Sequence, residues 1–137
     1  MAASTHRPGE QRPVTLIVSG EARSQAGIIQ QLLGPALVSM FNVADTGELL
    51  HVVQRRQVDG AVVDSEVGDG GEDLLKTLRI IRRIDAKLPV VLVASSLSRR
   101  FLEGALRLEA FSVVRKPMQR EELLIQLRRI VERVARN

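Results

Sequence analysis

Asp64 and Lys116 are the two residues of this sequence best placed to do chemistry together. Each closes a short apolar run, VDGAVVD over 58–64 and SVVRK over 112–116, and Pro117 follows the lysine. A lone carboxylate and a lone ammonium that share one rim can hold each other as an ion pair. Glu21 and Glu66 add carboxylates in loops that follow strands.

Most other chemistry is excluded. There is no cysteine, so disulfides, thiol nucleophiles and Cys-based metal centres are ruled out. Two histidines, His6 and His51, cannot build a multi-histidine metal site. Aromatic residues are 2% of the chain, which leaves almost no platform for stacking single-stranded bases. Neither GxxxxGK[ST] nor GxGxxG is present, so Asp69-Gly70-Gly71 reads as a turn rather than a phosphate cradle.

The elements that must position Asp64 and Lys116 follow from periodicity. The chain has 137 residues, 45% hydrophobic and 26% charged, which fits one globular domain. Continuous apolar runs at 14–18, 37–43, 58–64, 90–94 and 112–115 predict five buried strands. Apolar residues at three- and four-residue steps predict helices over 21–33, through Leu49 to about Arg56 after a turn at 45–47, and over 74–84, 99–108 and 120–135. Alternating strands and helices, with strands buried on both faces, predict a parallel α/β sheet with right-handed crossovers. In such sheets ligands bind beyond the carboxyl ends of the strands, where Asp64 and Lys116 fall. Residues 1–12 are polar and read as a flexible tail before a domain over 13–137. No apolar run spans a bilayer and no signal peptide is evident, so a cytoplasmic location is expected.

In this order the motifs resemble the receiver domain of bacterial response regulators, a flavodoxin-like fold. VDGAVVD (58–64), DLLKTLR (73–79), ADTGELL (44–50), LPVVLVA (88–94) and VVRKP (113–117) carry the resemblance, which covers about Pro13 to Ala135. It implies a doubly wound sheet of five parallel strands with five helices, and a role in two-component phosphorelay signalling. It implies Asp64 as the phosphoacceptor and Lys116 as the residue that contacts the phosphoryl group. It implies phosphoryl transfer beside a Mg²⁺ ion, which takes one or two carboxylates and keeps several waters; the family's acidic metal-binding pair falls on Ser19 and Gly20, neither of them acidic, which leaves Asp64, Glu66 and Glu21 as weak metal candidates. Its hydroxyl after the fourth strand falls on Ala94, and its switching aromatic on Val113. The loop after Asp64 is one residue short of the family pattern.

These departures predict an atypical receiver, a pseudo-receiver that is not an enzyme and acts by protein–protein contact. No cofactor is expected and Mg²⁺ binding is expected to be weak. Asp64 and Lys116 are expected to pair in a pocket that is quiet without metal. Ser19→Asp with Gly20→Asp is expected to raise Mg²⁺ affinity, provided the backbone at Gly20 accommodates a Cβ. The alternative is a working phosphoacceptor at Asp64. A basic nucleic-acid-binding protein is a remote third reading, since the net charge is only +4. The partners implied are a histidine kinase or a downstream effector. Arg99, Arg100, Arg107 and Arg115 are candidates for a basic docking surface, the plainer and slightly favoured reading being a solvated face interleaved with Glu103, Glu109, Glu121, Glu122 and Glu132; a homodimer through the fourth helix, fifth strand and fifth helix is a further candidate.

Overall fold

Five runs of β-branched and other apolar residues form one parallel sheet in the computed structural model, which describes residues 12–64 and 71–136. The strands are β1 (Val14–Val18), β2 (Val38–Asn42), β3 (Gly60–Asp64), β4 (Val90–Ala94) and β5 (Ser112–Arg115), in the order β2-β1-β3-β4-β5. The helices are α1 (Ala26–Leu33), α2 (Thr46–Arg55), α3 (Glu72–Ile84), α4 (Arg99–Arg107) and α5 (Arg120–Arg136). Successive strand residues point to opposite faces, so each central strand feeds two cores. Ile17, Ala61, Val63, Val90 and Leu92 pack with Leu49, Leu78, Ile81 and Phe101 from α2, α3 and α4. Leu16, Val18, Val62, Val91 and Val93 pack with Ile29, Leu123, Leu127 and Ile130 from α1 and α5. The flavodoxin-like sheet expected from the sequence is therefore present. Among the described residues no helix is long and apolar enough to cross a membrane.

Local chemistry sets the helix starts. Asp45 caps α2 by accepting from the Glu48 N–H (2.8 Å), and Glu48 reaches back to the Ala44 N–H (2.9 Å). Ser98 caps α4 by accepting from the Phe101 N–H (3.1 Å). The Phe101 ring packs on Gly71, whose φ of +88° and closeness to the ring leave no room for a Cβ.

The first helix departs from expectation. The sequence predicts one helix over 21–33, but Gly20–Gln25 forms a 3₁₀ turn before α1 begins. Short local bonds tighten this stretch. Arg23 Nε donates to the Gly20 carbonyl (3.2 Å), and the Ser24 hydroxyl to the Glu21 carbonyl (3.0 Å).

Two arginines act as staples that hydrophobic periodicity does not reveal. Arg12, at the boundary of the segment set apart as a tail, grips Asp59 with both guanidinium nitrogens (2.8 and 2.6 Å). The hydrogen bond to Asp59 raises the Arg12 pKa above its ordinary value. Residues 1–11 lie outside the described residues. Arg82 on α3 donates to the carbonyls of Leu108 (2.8 Å), Leu88 (2.8 Å), Glu109 (3.0 Å) and Asp85 (3.3 Å). It thus ties the end of α4 and the entry to β4 to one side chain. Burial lowers its pKa, with Glu109 and Asp85 opposing the shift. Arg82→Met keeps the stem but leaves these carbonyls without their donor. A loss of about 2 kcal/mol in urea unfolding is expected. Arg82→Lys should recover little of it, because an ammonium lacks the planar fork.

Candidate functional site

The carboxyl ends of β1, β3, β4 and β5 meet around Asp64. Ser19, just past β1, is buried and bridges to β3. Its N–H and its hydroxyl both donate to the Val62 carbonyl (3.1 and 3.0 Å), and its Oγ accepts from the Asp64 N–H (3.2 Å). This fixes the last residue of β3 against the end of β1. Gly20 then turns the chain with φ +65°, a conformation that favours glycine. The turn aims the next amide inward, and the Glu21 N–H donates to Asp64 Oδ2 at 2.6 Å.

The other carboxylate oxygen faces β5. Lys116 Nζ lies 2.5 Å from Asp64 Oδ1. The Lys116 amide is anchored to the Ala94 carbonyl (2.9 Å), so the lysine stem starts beside the end of β4 and reaches across to β3. The Asp64 side chain is 3% exposed and that of Lys116 24%. A buried carboxylate requires compensation, and here a backbone amide and an ammonium supply it from two directions.

The structure thus brings together Ser19, Gly20, Asp64, Lys116 and the backbone of Glu21. The Glu21 side chain is exposed. Ala94 is fully buried at the end of β4, and Val113 is half-buried against the core under α2, α3 and α4. Neither has a hydroxyl or a ring to respond to an event at Asp64. Glu66, with the rest of the glycine-rich stretch 65–70, lies outside the described residues. Arg99, Arg100, Arg107 and Arg115 are exposed, and Arg99 is held by Glu103 at 3.1 Å.

The resemblance implies a Mg²⁺ ion at this rim, but the described donors do not fit one. Mg²⁺ demands near-octahedral oxygen ligands with at least one or two carboxylates free to bind it. Asp64 Oδ2 is engaged by the Glu21 amide and Oδ1, without a hydrogen bond among the described residues, already faces the Lys116 ammonium, so Asp64 is the one carboxylate at this rim; the Ser19 hydroxyl is turned to the backbone, and Gly20 offers no side chain. Among the described residues no three His, Asp or Glu side chains converge. The condition attached to Gly20→Asp also fails. A Cβ on Gly20 would stand 2.2 Å from Asp64 Cβ and 2.3 Å from its Oδ2.

The decisive group missed by the sequence is the Glu21 amide, because a backbone donor has no letter of its own. The one trace is a glycine directly after a strand, which signals a turn needing positive φ. A cleft of about 240 Å³ reaches Asp64 between Thr46 at the start of α2 and Asp73, Lys76 and Thr77 on α3. A larger cavity, about 610 Å³, lies at the opposite end of the sheet beside Arg12, Asp59 and Arg133. It is remote from this chemistry.

No curated protein matches the chain. Solved structures do. A receiver domain of a Francisella response regulator is 20% identical, with TM-score 0.70, covering 88% of this chain and 98% of that one. The signal receiver domain of an HD domain-containing protein from Pseudomonas fluorescens Pf-5 is 20% identical, with TM-score 0.71 and 90% of both chains covered. The receiver domain of a sensor histidine kinase from Pseudomonas aeruginosa PAO1 is 19% identical, with TM-score 0.66, covering 88% of this chain and 98% of that one. That structure holds a magnesium ion in its active-site cleft. At these identities the likeness establishes the fold. The family profile of the response regulator receiver domain goes further and matches residues 16–128. With that profile spanning most of the sequence and the same sheet order beneath it, the chain belongs to the receiver domain family of two-component response regulators.

Proposed function

We propose that this receiver is atypical and signals by protein–protein contact, with little or no Mg²⁺-dependent phosphorylation of Asp64. One observation carries the reading. Asp64 Oδ2 is taken by the Glu21 amide, and Oδ1, which makes no hydrogen bond among the described residues, faces the Lys116 ammonium in an ion pair. A phosphoacceptor must present a free oxygen to the incoming phosphorus, with a cation beside it to neutralise charge. Here the backbone at Gly20 fills the space next to the carboxylate. Ala94 and Val113 remove the parts by which a phosphoryl group would be felt elsewhere. The domain then serves as a binding module rather than an enzyme, in the cytoplasm, where a histidine kinase or a downstream effector would meet it.

The exposed side of α4 suits such a partner. Leu102 and Leu106 stand one turn apart there, and Leu106 is 79% exposed. Arg100 and Arg107 flank them, and Arg115 is exposed at the end of β5. An apolar centre with a basic rim fits an acidic protein surface. Nucleic acid is a poorer match, because aromatic residues are too few to stack bases.

Amide NMR titration with Mg²⁺, followed by beryllofluoride as a phosphoryl mimic, tests the reading. The spectrum is expected to stay folded and unchanged around Asp64, Ser19 and Lys116. Shifts centred on Asp64 and spreading to Ala94 and Val113 would overturn it in favour of a working phosphoacceptor.

A further inference from the structure

Charged residues make up 26% of the chain, yet residues 24–44 contain none. This stretch covers α1, the turn after it and β2, which is an edge strand of the sheet. Four large apolar side chains are exposed along it: Ile28 and Leu32 one turn apart on α1, Leu37 in the turn, and Phe41 on β2. Leu37 is 61% exposed and Leu32 53%. Exposed apolar side chains on both sides of an open sheet edge mark an interaction surface.

The backbone shows how the edge is presented. The Val14 N–H donates to the Leu37 carbonyl, and the Val43 N–H to the Val18 carbonyl. Backbone groups alternate sides along a strand, so the odd-numbered residues of this stretch turn theirs towards β1. Val38, Met40 and Asn42 therefore turn theirs outward. The Val38 N–H is used by the Gly34 carbonyl (3.0 Å). The outward donors and acceptors at Met40 and the donor at Asn42 have no partner among the described residues.

We propose that a second copy of this chain occupies this face, joined through antiparallel pairing of β2 with β2 about a two-fold axis at Met40. Such an axis sets Met40 opposite Met40 of the partner subunit. It sets the Asn42 N–H opposite the carbonyl of Val38 of the partner subunit, which is free to accept. The used Val38 amide is not required. Met40 packs on the α1 and α5 side of the sheet and Phe41 on the other, so the join gains apolar cover on both faces.

Charge selects the occupant. Each copy carries +4, so two copies repel through most of their surface. The α4 face would place arginines against arginines. The α1–β2 segment carries no charge of its own, the cation against it being Arg56 over the Phe41 ring on the side away from α1, and an isologous interface must be compatible with itself.

Sedimentation equilibrium on the full chain tests this. A species of twice the chain mass is expected, and raising salt should leave it unchanged or tighten it by screening the repulsion. Leu32→Lys and, separately, Phe41→Lys are expected to raise the dimer dissociation constant at least about tenfold. Circular dichroism checks that each remains folded, and either variant alone suffices. Leu106→Lys on α4 is expected to leave the dimer intact. A chain that stays monomeric at the concentrations used for NMR would overturn the proposal. So would a dimer that dissociates with Leu106→Lys and not with Leu32→Lys or Phe41→Lys, or one that dissociates as salt rises.

Discussion

Replacing Lys116 with methionine is expected to lower folding stability by about 3 kcal/mol, the lower end of the range for breaking a buried ion pair. The variant keeps most of the stem and removes only the ammonium. Asp64 is then a buried carboxylate with one amide donor and no counter-charge. The complementary change, Asp64→Asn, should cost less, because Lys116 is a quarter exposed and its ammonium can reach water. The double variant Asp64→Asn/Lys116→Met should recover most of what Lys116→Met loses, since no charge is left stranded. Urea unfolding of the four proteins gives the coupling directly. A Lys116→Met midpoint within about 0.5 kcal/mol of the parent, the range of a neutral surface change, would mean that the pair carries no weight.

The second large effect is expected at Gly20. Alanine there must adopt φ +65°, which costs about 1–2 kcal/mol for an L-residue. It must also place a Cβ 2.2 Å from Asp64 Cβ, a separation that cannot persist. Either the turn opens or Asp64 moves, and both lose the short bond from the Glu21 amide. The combined loss is expected to reach at least about 3 kcal/mol. NMR reads the cause separately from the cost. The Glu21 amide proton, on a nitrogen 2.6 Å from a carboxylate oxygen, should move upfield in Gly20→Ala. A variant as stable as the parent with that resonance unmoved would show that Gly20 is not tied to Asp64. The Ser19→Asp/Gly20→Asp variant is correspondingly expected to lose fold before it gains a metal, as Mg²⁺ titration by NMR would show.

The sheet was legible because its information is spread over many residues. Five apolar runs such as Val90–Ala94 and the stops at Gly34-Pro35 and Lys116-Pro117 all agree, so no single misreading matters. The site was legible where side chains carry it. Asp64 and Lys116 announce themselves as lone charges at strand ends, and Ala94 and Val113 by what they lack. It was illegible where backbone carries it. The Glu21 amide, the 3₁₀ turn at Gly20–Gln25 and the carbonyls gathered by Arg82 depend on the path of the main chain in three dimensions. Glu21 shows the difference within one residue. Its carboxylate, the natural metal candidate in one dimension, faces solvent, while its amide holds Asp64.

The close approach of Gly20 to Asp64 also constrains how this sequence can change. A carboxylate at position 20 is the first step towards a metal-binding rim, and that step is sterically barred while Asp64 stays where it is. Loosening Asp64 first means giving up the Glu21 bond with nothing yet in its place. Each single substitution therefore costs stability before metal binding can be gained. A metal-binding rim at this position requires several residues to change together, because no one of them can be accommodated alone.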